Sequence, residues 1–100
     1  MKTTINEQDD RIIIDLEGEL DTAAAQETEQ TLQPLMDNNG RDILFDCAQL
    51  DYIASSGLRI LISILKSARA KGHKVVLKDV NDEIKNVFKL TGFISLFDFE

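Results

Sequence analysis

Alternation of apolar and polar positions opens the chain. Residues Thr3–Gln8 form a weak strand candidate, Asp9–Asp10 a turn signal, and Arg11–Glu17 (RIIIDLE) a stronger, β-branched strand. Two strands around so short a turn predict an antiparallel hairpin. Gly18-Glu-Leu-Asp21 ends the second strand. Asp21 is placed to cap a helix that starts at Thr22 and is rich in helix formers. Ala25, Thr28, Leu32, Leu35 and Met36 share the face of that helix that can meet a core. Pro34 is expected to kink or split it, by removing a backbone hydrogen bond and crowding the preceding turn, and Asn38-Asn39-Gly40 closes it.

Asp42–Cys47 (DILFDC) is a nearly continuous apolar run, which predicts a strand covered on both faces. Ala48–Gly57 reads as a connector into a second helix. There Leu58, Ile60, Leu61, Ile62, Ile64, Leu65 and Ala68 spread over roughly 200° of the wheel at ~100° per residue, more than a half-buried helix needs. Arg59, Ser63, Lys66 and Ser67 hold the other face, and Gly72 stops the helix. Lys74–Asp79 is the next strand. Asn81 caps a third helix with Ile84, Val87, Phe88 and Thr91 inward and Gly92 as its stop. A turn and a terminal strand complete the chain. The order β-β-α-β-α-β-α, with a closing β, predicts an α/β domain whose mixed sheet has an antiparallel start and a parallel remainder.

Composition narrows the class. One hundred residues make a single domain, 1–100, and eighteen acidic against eleven basic side chains give a net charge of −7. That balance argues against nucleic acid and anionic membrane, both of which call for a basic footprint. No apolar run approaches the ~20 residues of a spanning helix. The start, MKTTINEQDD, lacks the apolar centre of a signal peptide. A lone cysteine fits a reducing compartment, so the expectation is a cytoplasmic protein.

Candidate chemistry is sparse. A nucleophilic triad would have to combine Ser55 or Ser56 with His73, the single histidine, and Asp51 or Asp79. There is no G-x-S-x-G elbow, and His73 reads as a solvated residue in a turn. One Cys and one His show no metal-ligand spacing, and no Walker loop is present. Asp46 at the end of a strand, with Glu19 and Asp21 as an acidic pair, could mimic a phosphoacceptor site, but the opening hairpin breaks the receiver pattern. No catalytic residue, metal or cofactor is therefore expected. Ser55-Ser56-Gly57 is the most informative segment, because it stands just before the long apolar helix, with one serine as its N-cap. A helix N-terminus also favours phosphate, and phosphoserine there would add ~1.5 to 2 negative charges without disrupting the helix.

Asp51-Tyr-Ile-Ala-Ser-Ser-Gly-Leu58 resembles the phosphorylation motif of STAS domains of the anti-sigma factor antagonist type. Gly18-Glu-Leu-Asp21 matches that family's second marker, between the second strand and the first helix. Val87–Phe93 followed by Leu96-Phe97 resembles its closing helix and terminal strand. The likeness spans essentially the whole chain. It implies a non-catalytic protein whose unmodified form binds an anti-sigma factor, often itself a serine kinase. Phosphorylation of the serine ends binding, and a serine phosphatase restores it. Carried over by residue, Ser55 is the acceptor, while Glu19, Asp21, Ser56, Gly57, Leu58 and Arg59 face the partner. Two positions depart from the pattern: Ala54 stands where aspartate is common, and Arg59 where a second glycine often follows. The resemblance also covers STAS subunits of membrane lipid transporters, which bind the cytoplasmic ATPase with no phosphorylation cycle. An intact serine and a chain without transporter segments favour the free regulator. Ile60 and Ile64, at one margin of the apolar arc, fit either a helix that docks a partner or one that completes the core against the third helix.

Overall fold

Strands β1 (Lys2–Glu7) and β2 (Arg11–Leu20) pair antiparallel around the Asp9–Asp10 bend. In this computed structural model, which describes residues 1–36 and 41–100 and, of residues 35 and 36, the backbone only, β2 then leads into α1 (Thr22–Met36). Next come β3 (Asp42–Ile53), α2 (Ser55–Ala70), β4 (Val75–Lys78), α3 (Asp82–Leu90) and a two-residue β5 (Asp98–Phe99). Among the described residues the sheet has five strands in the order β1-β2-β3-β4-β5, with every pair after the first parallel. The expected mixed sheet with its terminal strand is therefore what forms.

Because strand order follows chain order, right-handed crossovers place the helices on one face of the sheet. Burial alternates accordingly. Ile12, Ile14 and Leu16 of β2, Ile43, Phe45 and Cys47 of β3, and Val75 and Leu77 of β4 are buried in one core with the helices. Their neighbours Ile13, Leu44 and Val76 are only half-buried. The DILFDC run is thus covered on one face rather than two, and its apolar Leu44 joins a short apolar row across the open face.

Local signals place most boundaries. Asp21 Oδ1 accepts from the Ala24 amide (2.9 Å) and Asn81 Oδ1 from that of Ile84 (2.8 Å), so α1 and α3 carry the expected caps. Gly72 and Gly92 follow α2 and α3 at φ 79° and 78°, the left-handed turn that closes a helix and favours glycine. Of the kink or split expected at Pro34, the split does not occur, for α1 continues to Met36. A proline forfeits a single backbone hydrogen bond, and the twelve helical residues before it are enough to carry that loss. The inward placement of Leu35 and Met36 and the Asn38-Asn39-Gly40 stop lie outside the described residues. On α3, Ile84 and Phe88 are buried and Val87 half-buried, but Thr91 is exposed and its hydroxyl donates to the carbonyls of Val87 and Phe88.

Ile60 and Ile64 are 8 % and 5 % exposed. They belong to the core cluster and line a small cleft with Leu32 of α1, so they pack toward the first helix rather than the expected third. Cys47, also buried, has its thiol pushed from near 9 up to about 12, by burial first and by the carboxylates of Asp46 and Asp79 after it. Between these values the unfolded thiol ionises and the folded one does not. The unfolded state then binds fewer protons, and stability falls as pH rises from 9 toward 12. The gap corresponds to on the order of 4 kcal/mol at full titration. Thermal melts at pH 8 and pH 11 should show a larger loss for wild type than for Cys47→Ala; equal losses would discount the thiol.

Candidate functional site

The two sequence markers meet at the carboxyl-terminal ends of β2 and β3. Gly18 sits at φ 98° beside a register shift between Gly18 and Glu19, a bulge that a side chain would strain. Beyond it Leu20 pairs with Ile53, and the Leu20 carbonyl accepts from the Ala54 amide at 2.9 Å. The strand β3 therefore runs to Ile53, and the expected connector from Ala48 shrinks to Ala54. Pairing with the end of β2 supplies the backbone partners that keep this polar stretch extended.

Ala54, not a serine, is the N-cap of α2. It has extended backbone angles (φ −86°, ψ 165°), and its carbonyl accepts from the Leu58 amide at 3.0 Å. An alanine cannot cap with its side chain, so α2 begins without the side-chain bond that α1 and α3 have. Ser55 is then the first helical residue and is exposed, while Ser56 is half-buried with its Oγ donating to Thr22 Oγ1 at 3.1 Å. Gly57 is buried. A Cβ there would lie 2.8 Å from Leu20 Cγ and 3.0 Å from the Leu20 carbonyl, so glycine alone lets α2 seat against the end of β2. Leu58 is 2 % exposed and points into the core.

Of the predicted contact residues, Glu19, Asp21, Ser55 and Arg59 are exposed and Ser56 is half-buried, and they lie within a few residues of the join of Leu20 with Ala54 and Gly57. Gly57 and Leu58 instead hold the helix in place from below. Tyr52 belongs with the exposed group, though sequence reasoning passed over it. It is 50 % exposed and pairs in register with Glu19. The break in alternation at Leu50-Asp51-Tyr52-Ile53, with Leu50 and Ile53 buried, was the available signal.

The enzymatic arrangements do not assemble. His73 lies past the far end of α2 from Ser55, about 24 Å along a helix of sixteen residues, with its Nδ1 3.4 Å from Asp42 Oδ1. Asp46 lies mid-strand on the open face, where its Oδ1 accepts from the Ala48 amide at 3.1 Å. Its register partner is Asp15, so Glu19 and Asp21 at the strand end do not form an acidic pair with it. Among the described residues no three His, Cys, Asp or Glu side chains are grouped to hold a metal ion, and no helix is long and apolar enough to cross a membrane.

Comparison with known proteins bears on the family and the fold. The chain is 33 % identical over 97 residues to BtrV of Bordetella bronchiseptica, named as a candidate anti-sigma factor antagonist; the match covers 97 % of this chain and 84 % of that protein. It is 30 % identical over 79 residues to the anti-sigma-B factor antagonist of Staphylococcus aureus, covering 79 % and 73 %. The fold matches the anti-sigma factor antagonist SpoIIAA in its unphosphorylated form with a TM-score of 0.81 at 16 % identity, covering 99 % of this chain and 87 % of that one. The phosphorylated Bacillus SpoIIAA matches with a TM-score of 0.80 at 17 % identity, covering 99 % and 91 %. The STAS domain model matches residues 2–100, and the chain belongs to the STAS domain family.

Proposed function

We propose that this protein is an anti-sigma factor antagonist acting as a phosphorylation switch. In its unmodified form the edge formed by Glu19, Asp21, Tyr52, Ser55 and Arg59 docks a serine-kinase anti-sigma factor. Phosphorylation of Ser55 ends that docking, and a serine phosphatase restores it. The observation that carries the reading is the exposed Ser55 on the first turn of a helix that no side chain caps. A phosphate there meets the positive end of the helix dipole and unpaired backbone N–H groups, so the fold accepts it. Its ~1.5 to 2 charges change the docking surface instead. The relatives named as antagonists support this role, as does the existence of SpoIIAA in both phosphorylation forms on this fold.

Tagged wild type and Ser55→Asp, offered to lysate of the source cells, test the reading. Mass spectrometry should find a kinase-like anti-sigma factor on wild type and not on Ser55→Asp. The variant's unfolding free energy should stay within ~1 kcal/mol of wild type, since a negative charge suits a helix start. Equal capture of a transporter ATPase by both proteins would replace the switch with a constitutive subunit.

A further inference from the structure

Ser55 and Ser56 are adjacent and carry the same hydroxyl chemistry. The tertiary structure separates them. Ser55 is exposed and its hydroxyl donates to none of the described residues, whereas the Ser56 hydroxyl is half-buried and donates to Thr22 Oγ1, 3.1 Å away across the junction of α2 and α1. The seating of Gly57 on Leu20 turns Ser56 toward the first residue of α1, so this hydrogen bond joins residues thirty-four apart.

We propose that Thr22 is a specificity-determining residue that directs phosphorylation to Ser55 by holding Ser56 out of reach. The inference rests on the switch described above and adds the residue that chooses its acceptor. Transfer from a nucleoside triphosphate forms the serine Oγ–phosphorus bond and breaks the bond to the departing diphosphate. The hydroxyl proton passes to a base of the kinase. At Ser55 that proton is available to the kinase. At Ser56 it must first be withdrawn from Thr22, and the phosphate would then be wedged against the start of α1, beside the carboxylate that caps it. Thr22 is itself exposed, so its substitution leaves the core alone.

Wild type, Thr22→Val and Thr22→Ser, each incubated with ATP in lysate of the source cells, can be mapped by tandem mass spectrometry. Wild type and Thr22→Ser should carry phosphate on Ser55. In Thr22→Val the share on Ser56 should rise roughly five-fold, the bias that one net hydrogen bond of about 1 kcal/mol supplies. On a Ser55→Ala background, label on Ser56 should rise by the same roughly five-fold factor when Thr22→Val is added. Label confined to Ser55 in Thr22→Val would overturn the role of Thr22 and leave the switch standing. An unlabelled wild type would overturn both. Melting temperatures separate a change of acceptor from a change of fold: Thr22→Ser should match wild type, and Thr22→Val should fall by no more than the roughly 4–8 °C that one such bond carries in a domain of this size.

Discussion

Replacing Phe88 by alanine is expected to lower the unfolding free energy by about 3–5 kcal/mol, the span for emptying a fully buried phenylalanine site. The ring is 1 % exposed and meets Phe97 edge-on at 5.5 Å between centroids and Phe99 at 5.6 Å. Each such pair contributes about 0.5–1.5 kcal/mol beyond area burial. Two residues of β5 cannot hold themselves to a sheet, so this aromatic trio anchors the chain's last turn. Urea melts should show a lower midpoint with an unchanged slope. Hydrogen exchange should quicken first at Glu100 and Asp79, whose amides bond across the β4–β5 join. A loss below 1 kcal/mol would mean that the terminal segment is anchored elsewhere.

Gly57→Val should destabilise by about 2–3 kcal/mol, as overpacked cores do. The gain in helix propensity from removing a glycine offsets only a fraction of a kcal/mol of this. Leu20 is 0 % exposed and cannot swing aside, and its carbonyl, 3.0 Å from the new Cβ, is backbone bonded to Ala54. The strain therefore falls on the join between the two markers, and α2 must lift away from β2, carrying Ser55 with it. A double-mutant cycle measures the coupling. Leu20→Ala combined with Gly57→Val should cost at least 1 kcal/mol less than the sum of the single changes. Additive costs would show that the helix accommodates a side chain without touching Leu20. On the proposed reading, capture of the anti-sigma factor should weaken in Gly57→Val more than its stability loss explains, because the residues proposed to dock it come from both elements.

Short-range signals were legible in the chain itself. Asp21 and Asn81 cap helices through amides three residues away, and Gly72 and Gly92 close them within a turn. Alternation in β2 and the apolar arc of α2 named the core faces, since burial follows the period of the element. The marker residues were legible for the same reason: Asp21 and Ser55 stand where their helices begin. What spacing could not supply was the partner of each surface. The extension of β3 to Ile53 depends on a strand thirty residues earlier. The destination of Ile60 and Ile64 depends on α1 packing on α2, and the open face at Leu44 on all crossovers having one hand. Tyr52 is exposed only because β3 continues past its apolar run.

The pair Ser55 and Ser56 divides the two kinds of information most sharply. By itself the sequence determined the order of elements, the caps of α1 and α3, the stops of α2 and α3 and a hydroxyl-bearing helix start, the local signals being consequences of interactions within about one helical turn. Only the tertiary structure decided that Ala54 is the cap, that Gly57 must be a glycine, and that Ser56 faces Thr22 while Ser55 faces solvent. Those outcomes turn on backbones brought within 3 Å by the closing of β2 against α2, a distance that no pattern along one strand of chain encodes.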